Sequence, residues 1–164
     1  MPTKGIMTKI VCFLLILGNS FISKGNEEFD LSILEKKKVI SLKGKWHFIW
    51  NKYVEPKEII EKGIPKEATL EKVPGRWSSY KNKYPKLGFA TYITTLKNPP
   101  VNKSFLLRLQ RVSSSYKVYF IQKGKIIATA LNGKLGETRE LSIPAKRFLL
   151  KNVFSSSGDI TIVF

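Results

Sequence analysis

Tyr116-Lys117-Val118-Tyr119-Phe120-Ile121-Gln122-Lys123-Gly124-Lys125-Ile126-Ile127-Ala128-Thr129-Ala130-Leu131 is the stretch that decides the fold class. Two runs rich in β-branched and aromatic residues flank a three-residue connection, Gln122 to Gly124. That pattern predicts two antiparallel strands and a tight turn, with Gly124 supplying the positive φ. Working outward, the same two-residue period recurs. Leu42, Trp46, Phe48 and Trp50 fall on one face of a strand, and His47 points to the other. Further strands are expected at Ala68–Val73, Gly88–Lys97, Phe105–Val112, Thr138–Ile143 and Asp159–Phe164. Phe148–Val153 is ambiguous. A short helix is expected from Pro56, which suits a first helical turn, to Gly63, which suits an end. Many short strands, one short helix and frequent turn residues predict an all-β chain, an antiparallel β-sandwich.

Residues 1–25 read differently. Lys4 and Lys9 precede an unbroken apolar run, Ile10 to Leu17, followed by Gly18, Asn19, Ser20, Ser23 and Gly25. This is the order of a secretory signal peptide, and the run is short of the roughly 20 apolar residues of a spanning helix. An uncleaved anchor is the alternative. The expectation is therefore a signal peptide at 1–25 and one ligand-binding sandwich at 26–164, in the periplasm or on the extracellular face of the cytoplasmic membrane. The last strand places Ile160, Ile162 and Phe164 on one face and stops on Phe164. Either this strand closes the sandwich or the chain is a truncated piece of a longer receptor, and the sequence favours truncation.

The chain has 164 residues with 29 Lys plus Arg against 12 Asp plus Glu, a formal charge of +17. Losing Lys4, Lys9 and Lys24 with the leader lowers that by three. Five of the basic residues are Arg (Arg76, Arg108, Arg111, Arg139, Arg147), and the Lys residues are dispersed. Base readers lean on Arg, so nucleic acid is not the expected partner. An anionic envelope surface fits the charge better. One Cys (Cys12) and one His (His47) exclude a disulfide framework and a Cys/His zinc site. No catalytic or metal-ligating set stands out, and no cofactor is implied. Glu137 and Glu140 read as an exposed strand pair, and His47 as a solvated strand residue. A structural calcium held by carboxylate and carbonyl oxygens is left open.

Three segments in order resemble a known family: Leu42 to Trp50; Val73-Pro74-Gly75-Arg76-Trp77 with Gly88 to Tyr92; and Ser115 to Phe120 with its hairpin and Asn132 to Gly136. They resemble the extracytoplasmic N-terminal sensor domain of bacterial seven-transmembrane receptors with diverse intracellular signalling modules. That domain is similar to the galactose-binding-like jelly roll of family 2 glycoside hydrolases. The resemblance covers about residues 38–164. It implies a jelly roll that senses a small, carbohydrate-like ligand ahead of a membrane-embedded signalling domain. The departures are Lys123-Gly124 in place of an Asn-Gly turn, and the lack here of the membrane segment and output module. A structural or protein-interaction module of the envelope is the rival reading, and an accessory domain of a glycoside hydrolase is a third.

The candidate binding residues are Arg76, Trp77, Tyr80, Asn82 and Tyr84, joined by Arg111 and Tyr116. The first five lie on a long connection. Sugars stack their C–H faces on aromatic rings while Asn, Arg and Lys hold hydroxyls. Packing is the competing role: Trp77 can plug one end of the sandwich, and Tyr80 and Tyr84 can fasten the loop down. Trp46 and Trp50 read as core.

Overall fold

The computed structural model describes residues 29–109, 112, 114–144 and 149–164. The expected signal peptide at 1–25 and the candidate Arg111 lie outside these residues. Nine strands and one α-helix make up the described chain: β1 (Phe29–Asp30), β2 (Gly44–Trp50), α1 (Pro56–Lys62), β3 (Thr69–Val73), β4 (Ala90–Lys97), β5 (Lys103–Leu109), β6 (Tyr116–Gln122), β7 (Lys125–Asn132), β8 (Leu149–Ser155) and β9 (Ile160–Val163). One sheet runs β3-β2-β4-β9-β6-β7, with β1 beside β4; β5 and β8 form a second, two-stranded sheet. All pairings are antiparallel except β1 with β4. The all-β sandwich expected from the sequence is thus the fold.

The alternation explains the main core. Trp46, Leu96, Val118, Phe120, Ile160 and Ile162 project from one face of the large sheet and meet Leu107 and Val153 from the small one. The opposite face is also buried. Ile49, Ile93, Ile121 and Val163 pack there with Val54 and Ile59, the latter on α1. Pro56 opens that helix, and Gly63, at φ 75°, ends it. Mature sandwich strands with a wet outer face would alternate cleanly; here β2 and β9 carry apolar residues on both faces because α1 covers the second.

The hairpin forms where expected, but its turn has two residues, not three: Gln122 pairs with Lys125, and Lys123 joins Gly124 at positive φ, 49° and 67°. Gln122 is buried at its base. Its amide donates to Ser156 O (2.9 Å) and Gly158 O (2.6 Å), and accepts from the Ser156 N–H and hydroxyl (3.0 Å each). That polar plug fixes the β8–β9 turn against the hairpin.

Four expectations are corrected. Thr138–Ile143 is not a strand: it has a suitable pattern but no ladder partner beyond one bridge, Lys134 to Ile143, and Ser142 N–H closes a turn onto Thr138 O. Glu137 and Glu140 are accordingly exposed on a loop, not paired on a strand. His47 points away from the main core as expected, yet it is half-buried rather than solvated. Its Nε2 is buried without a hydrogen-bond partner, and burial holds its pKa below the ordinary value. Trp50 is only partly buried, unlike Trp46, whose indole N–H donates to Leu42 O at 3.0 Å. Among the described residues no helix is long and apolar enough to cross a membrane, and no three His, Cys, Asp or Glu side chains gather as metal ligands.

Candidate functional site

The site grows from the ends of two neighbouring strands. On β2, Phe48 and Trp50 are two residues apart and share a face. Phe48 sits opposite Tyr92 of β4 in the register. Beyond Trp50 the chain turns: Asn51 takes φ 56° and its N–H donates to Phe89 O at 2.8 Å. Thr91 then fastens the next residues, its hydroxyl donating to Lys52 O (2.7 Å) and accepting from the Val54 N–H (3.0 Å). Trp50 is thereby held at the rim of the sheet.

The connection between β3 and β4 folds over these rings. It begins with a cis Val73–Pro74 peptide and Gly75. Tyr80 packs so closely on Gly75 that a Cβ there would collide with its ring. Trp77 to Ser79 form one 3-10 turn. The Tyr80 N–H donates to Trp77 O (3.2 Å), the Lys83 N–H to Tyr80 O (2.8 Å), and the Tyr84 N–H to Trp77 O (3.1 Å). These bonds coil the loop tightly and bring Trp77 and Tyr84 side by side.

The rings then interlock. Tyr84 stacks on Trp50 (centroids 5.2 Å, planes 26° apart), and Trp77 meets Trp50 edge-on (4.8 Å, 76°). Phe48 lies beneath, 5.2 Å from Tyr80, 5.0 Å from Tyr84 and 4.9 Å from Tyr92. Aromatic pairs in such offset or edge geometries add about 0.5–1.5 kcal/mol each beyond area burial. The polar edges are satisfied internally. The Trp77 indole N–H donates to the Tyr92 hydroxyl at 2.7 Å, and the Tyr80 and Tyr92 hydroxyls share a hydrogen bond of 3.2 Å. Burial raises the pKa of both phenols, so both stay protonated.

The predicted residues separate into two groups. Trp77 and Tyr84 are partly exposed, and Arg76 and Asn82 are exposed beside them. Asn82 donates its amide to the Tyr84 hydroxyl at 2.8 Å. Tyr80 and Tyr116 are buried, at 5% and 4% exposure, and reach the site only through other rings. Tyr116 stacks on Phe164 (5.0 Å, 24°), which meets Tyr92 at 6.1 Å. Its hydroxyl accepts from Asn132 at 3.1 Å.

Sequence reasoning missed Trp50, Phe48 and Tyr92 as members of the site. Alternation marked Phe48 and Trp50 as inward-facing, and Tyr92 only as part of an expected strand; all three rings gather at the rim. It also missed a second stack beside the first. Tyr53 and Phe89 lie 4.4 Å apart at 20°, and the Tyr53 hydroxyl donates to Gly136 O at 3.2 Å. Burial, with the charge of Glu137 adding to it, raises the Tyr53 pKa. Gly88 links the two stacks. It presses on the Trp50 indole at φ 154°, and the next residue is Phe89.

No family model matches the chain, and no curated protein matches it. Solved structures do. A β-glucuronidase from Faecalibacterium prausnitzii matches with a TM-score of 0.50 and 18% identity, over 76% of this chain and 20% of its own. A β-glucuronidase from Ruminococcus gnavus gives 0.43 and 21%, over 76% and 20%. One from Bifidobacterium dentium, complexed with coumarin-3-O-glucuronide, gives 0.46 and 15%, over 74% and 19%. The chain therefore spans only about a fifth of the length of the structures it matches. What it shares with the first of them is a fold, the β-sandwich described above.

Proposed function

We propose that this chain is a non-catalytic carbohydrate-binding domain. One observation carries the reading: Trp50, Trp77 and Tyr84 converge at the rim of a rigid sandwich, partly exposed, with Arg76 and Asn82 on the same loop. Aromatic surface flanked by a few hydrogen-bonding groups is what a sugar ring needs. The surface is pre-built, since the rings are already packed and their inner edges already bonded. Binding then costs little ordering of side chains. The sandwich shared with a β-glucuronidase supports the same ligand class.

The non-catalytic part rests on the loop's chemistry. Glycoside hydrolysis needs two carboxylates about 5–10 Å apart across the sugar. Residues 76–86 contain none, and Glu71 on the adjacent strand is buried. The resemblance at Leu42–Trp50 and Val73–Trp77 extends the proposal to an exported sensor input domain. Its ligand would alter contact with a membrane-embedded signalling partner.

A thermal-shift screen of mono- and oligosaccharides on the full chain tests the binding reading. At least one saccharide is expected to raise Tm. Tyr84→Ala should abolish that rise while circular dichroism shows the sandwich intact. If no saccharide shifts the wild-type protein, the reading is overturned.

A further inference from the structure

With 29 Lys and Arg against 12 Asp and Glu, the cations of this chain outnumber their possible partners, and those on the loop over the rings stand beside aromatic surface. Lys52, between Trp50 and Tyr53, bridges Glu58 (2.9 Å) and Glu67 (3.1 Å); Lys57 meets Glu61 (3.8 Å), and Lys97 meets Asp159 (2.7 Å). On the loop over the rings, Arg76, Lys81, Lys83 and Lys86 are exposed, and none forms an ion pair with another described residue. No Asp or Glu occurs between Lys72 and Gly136, so a partner for these cations would have to come from elsewhere in the fold, as Asp159 does for Lys97. Glu71, the nearest acid along the sequence, is 7% exposed and takes a hydrogen bond from the Thr69 hydroxyl at 3.3 Å. Its charge acts inward, on the phenols of Tyr80 and Tyr92.

Two of these cations are chain neighbours of the rings. Arg76 immediately precedes Trp77, and Lys83 immediately precedes Tyr84. The 3.1 Å bond from Tyr84 N–H to Trp77 O draws both pairs onto one turn. Lys83 is held at φ 47°, a left-handed conformation that non-glycine residues seldom adopt. Asn82 spends its amide on the Tyr84 hydroxyl, which leaves its carbonyl oxygen to accept from a ligand hydroxyl. Like charges gathered without counter-ions repel one another, and an anionic ligand relieves that repulsion.

We propose that the aromatic end binds an acidic saccharide: a uronate whose ring lies against the exposed Tyr84–Trp77 surface and whose carboxylate meets Arg76 and Lys83. This rests on the carbohydrate reading above and narrows it to one ligand class. Arg76 offers the planar fork that matches a carboxylate, and Lys83 a point charge beside it.

Isothermal titration of the full chain with tetragalacturonic acid, its methyl ester and a neutral galactan tetraose tests this. The acid is expected to bind about tenfold more tightly than the ester, and less tightly as salt rises from 0.05 to 0.5 M. Arg76→Gln with Lys83→Gln should bring the acid down to the ester's affinity and leave the ester unchanged. Lys36→Gln with Lys37→Gln, an equal loss of charge elsewhere, should change neither. Equal binding of acid and ester, or binding of the galactan alone, would overturn the acidic ligand while the carbohydrate reading survives. No binding of any of the three would overturn the acidic ligand, and the saccharide screen above then decides the carbohydrate reading. Polyglutamate binding as tightly as the acid would reduce the effect to bulk charge and overturn the proposal.

Discussion

The middle of the sandwich and its aromatic end are built from the same strands by different chemistry. In the middle, Phe120, Ile160, Ile162, Val118 and Val153 are fully buried and carry no polar atom. At the end, Phe48 is as deeply buried, but the rings around it carry hydroxyls and an indole N–H bonded to one another, and their outer faces meet solvent. β2 and β4 pass through both regions. The difference teaches that a strand's alternation sets which side chains face inward, while what lies opposite decides their use. Facing β5 and β8, an inward residue becomes core. At the rim, beside the loop from β3 to β4, it becomes a partly exposed aromatic surface.

Three perturbations would break or sharpen that contrast. Phe120→Ala strikes the middle and should have the largest effect. It removes a ring with 0% exposure and leaves a cavity, at a cost of about 3–5 kcal/mol. Urea unfolding should show it as a drop in midpoint with the slope unchanged; a loss under 1 kcal/mol would mean that the small sheet collapses onto the gap.

Tyr92→Phe strikes the end. The ring stays, but the indole N–H of Trp77 and the hydroxyl of Tyr80 lose their shared partner. Leaving buried groups unsatisfied costs about 1–3 kcal/mol. Near-ultraviolet circular dichroism should change more than far-ultraviolet, because the aromatic packing is altered and the strands are not. A variant as stable as wild type with an unaltered aromatic spectrum would show that the hydroxyl network does not hold Trp77.

His47 gives the smallest effect. Burial depresses its folded pKa below the unfolded value near 6.5. The unfolded state therefore takes up the proton first, and the stability held at neutral pH is lost as pH falls through the unfolded pKa towards the folded one. Asp30, Glu67 and Glu140, whose pKa values are lowered by hydrogen bonds, act in the same direction at lower pH. Comparing the Tm of wild type and His47→Gln at pH 7.5 and 5.5 isolates the histidine. Wild type should lose more than the variant over that window, and equal losses would contradict the burial of Nε2.

Much of this was legible in residues alone. The 116–131 hairpin, the helix from Pro56 and the inward set Trp46, Phe48 and Ile162 follow from a two-residue period and a few turn residues. The site was half legible. Trp77, Tyr84, Arg76 and Asn82 stood out because rings and hydrogen-bonding groups crowd one long connection. Trp50 and Phe89 did not, because an apolar ring in an alternating strand looks the same whether its face meets another sheet or the end of one. Thr138–Ile143 failed for another reason: its pattern suits a strand, but the segment closes a turn from Ser142 onto Thr138 and pairs only through the Lys134–Ile143 bridge.

The sequence by itself determined the class of fold, since side-chain period and turn chemistry are local properties of the chain. It also determined that no acid lies between Lys72 and Gly136, while only the fold brings Asp159 to Lys97. Only the tertiary structure decided that Trp50 from β2 and Tyr84 from a loop 34 positions later stack face to face. It alone decided that α1 makes the second face of the sheet a core as well. Those outcomes depend on which surfaces meet at a distance, and burial free energy is set by the partner as much as by the residue.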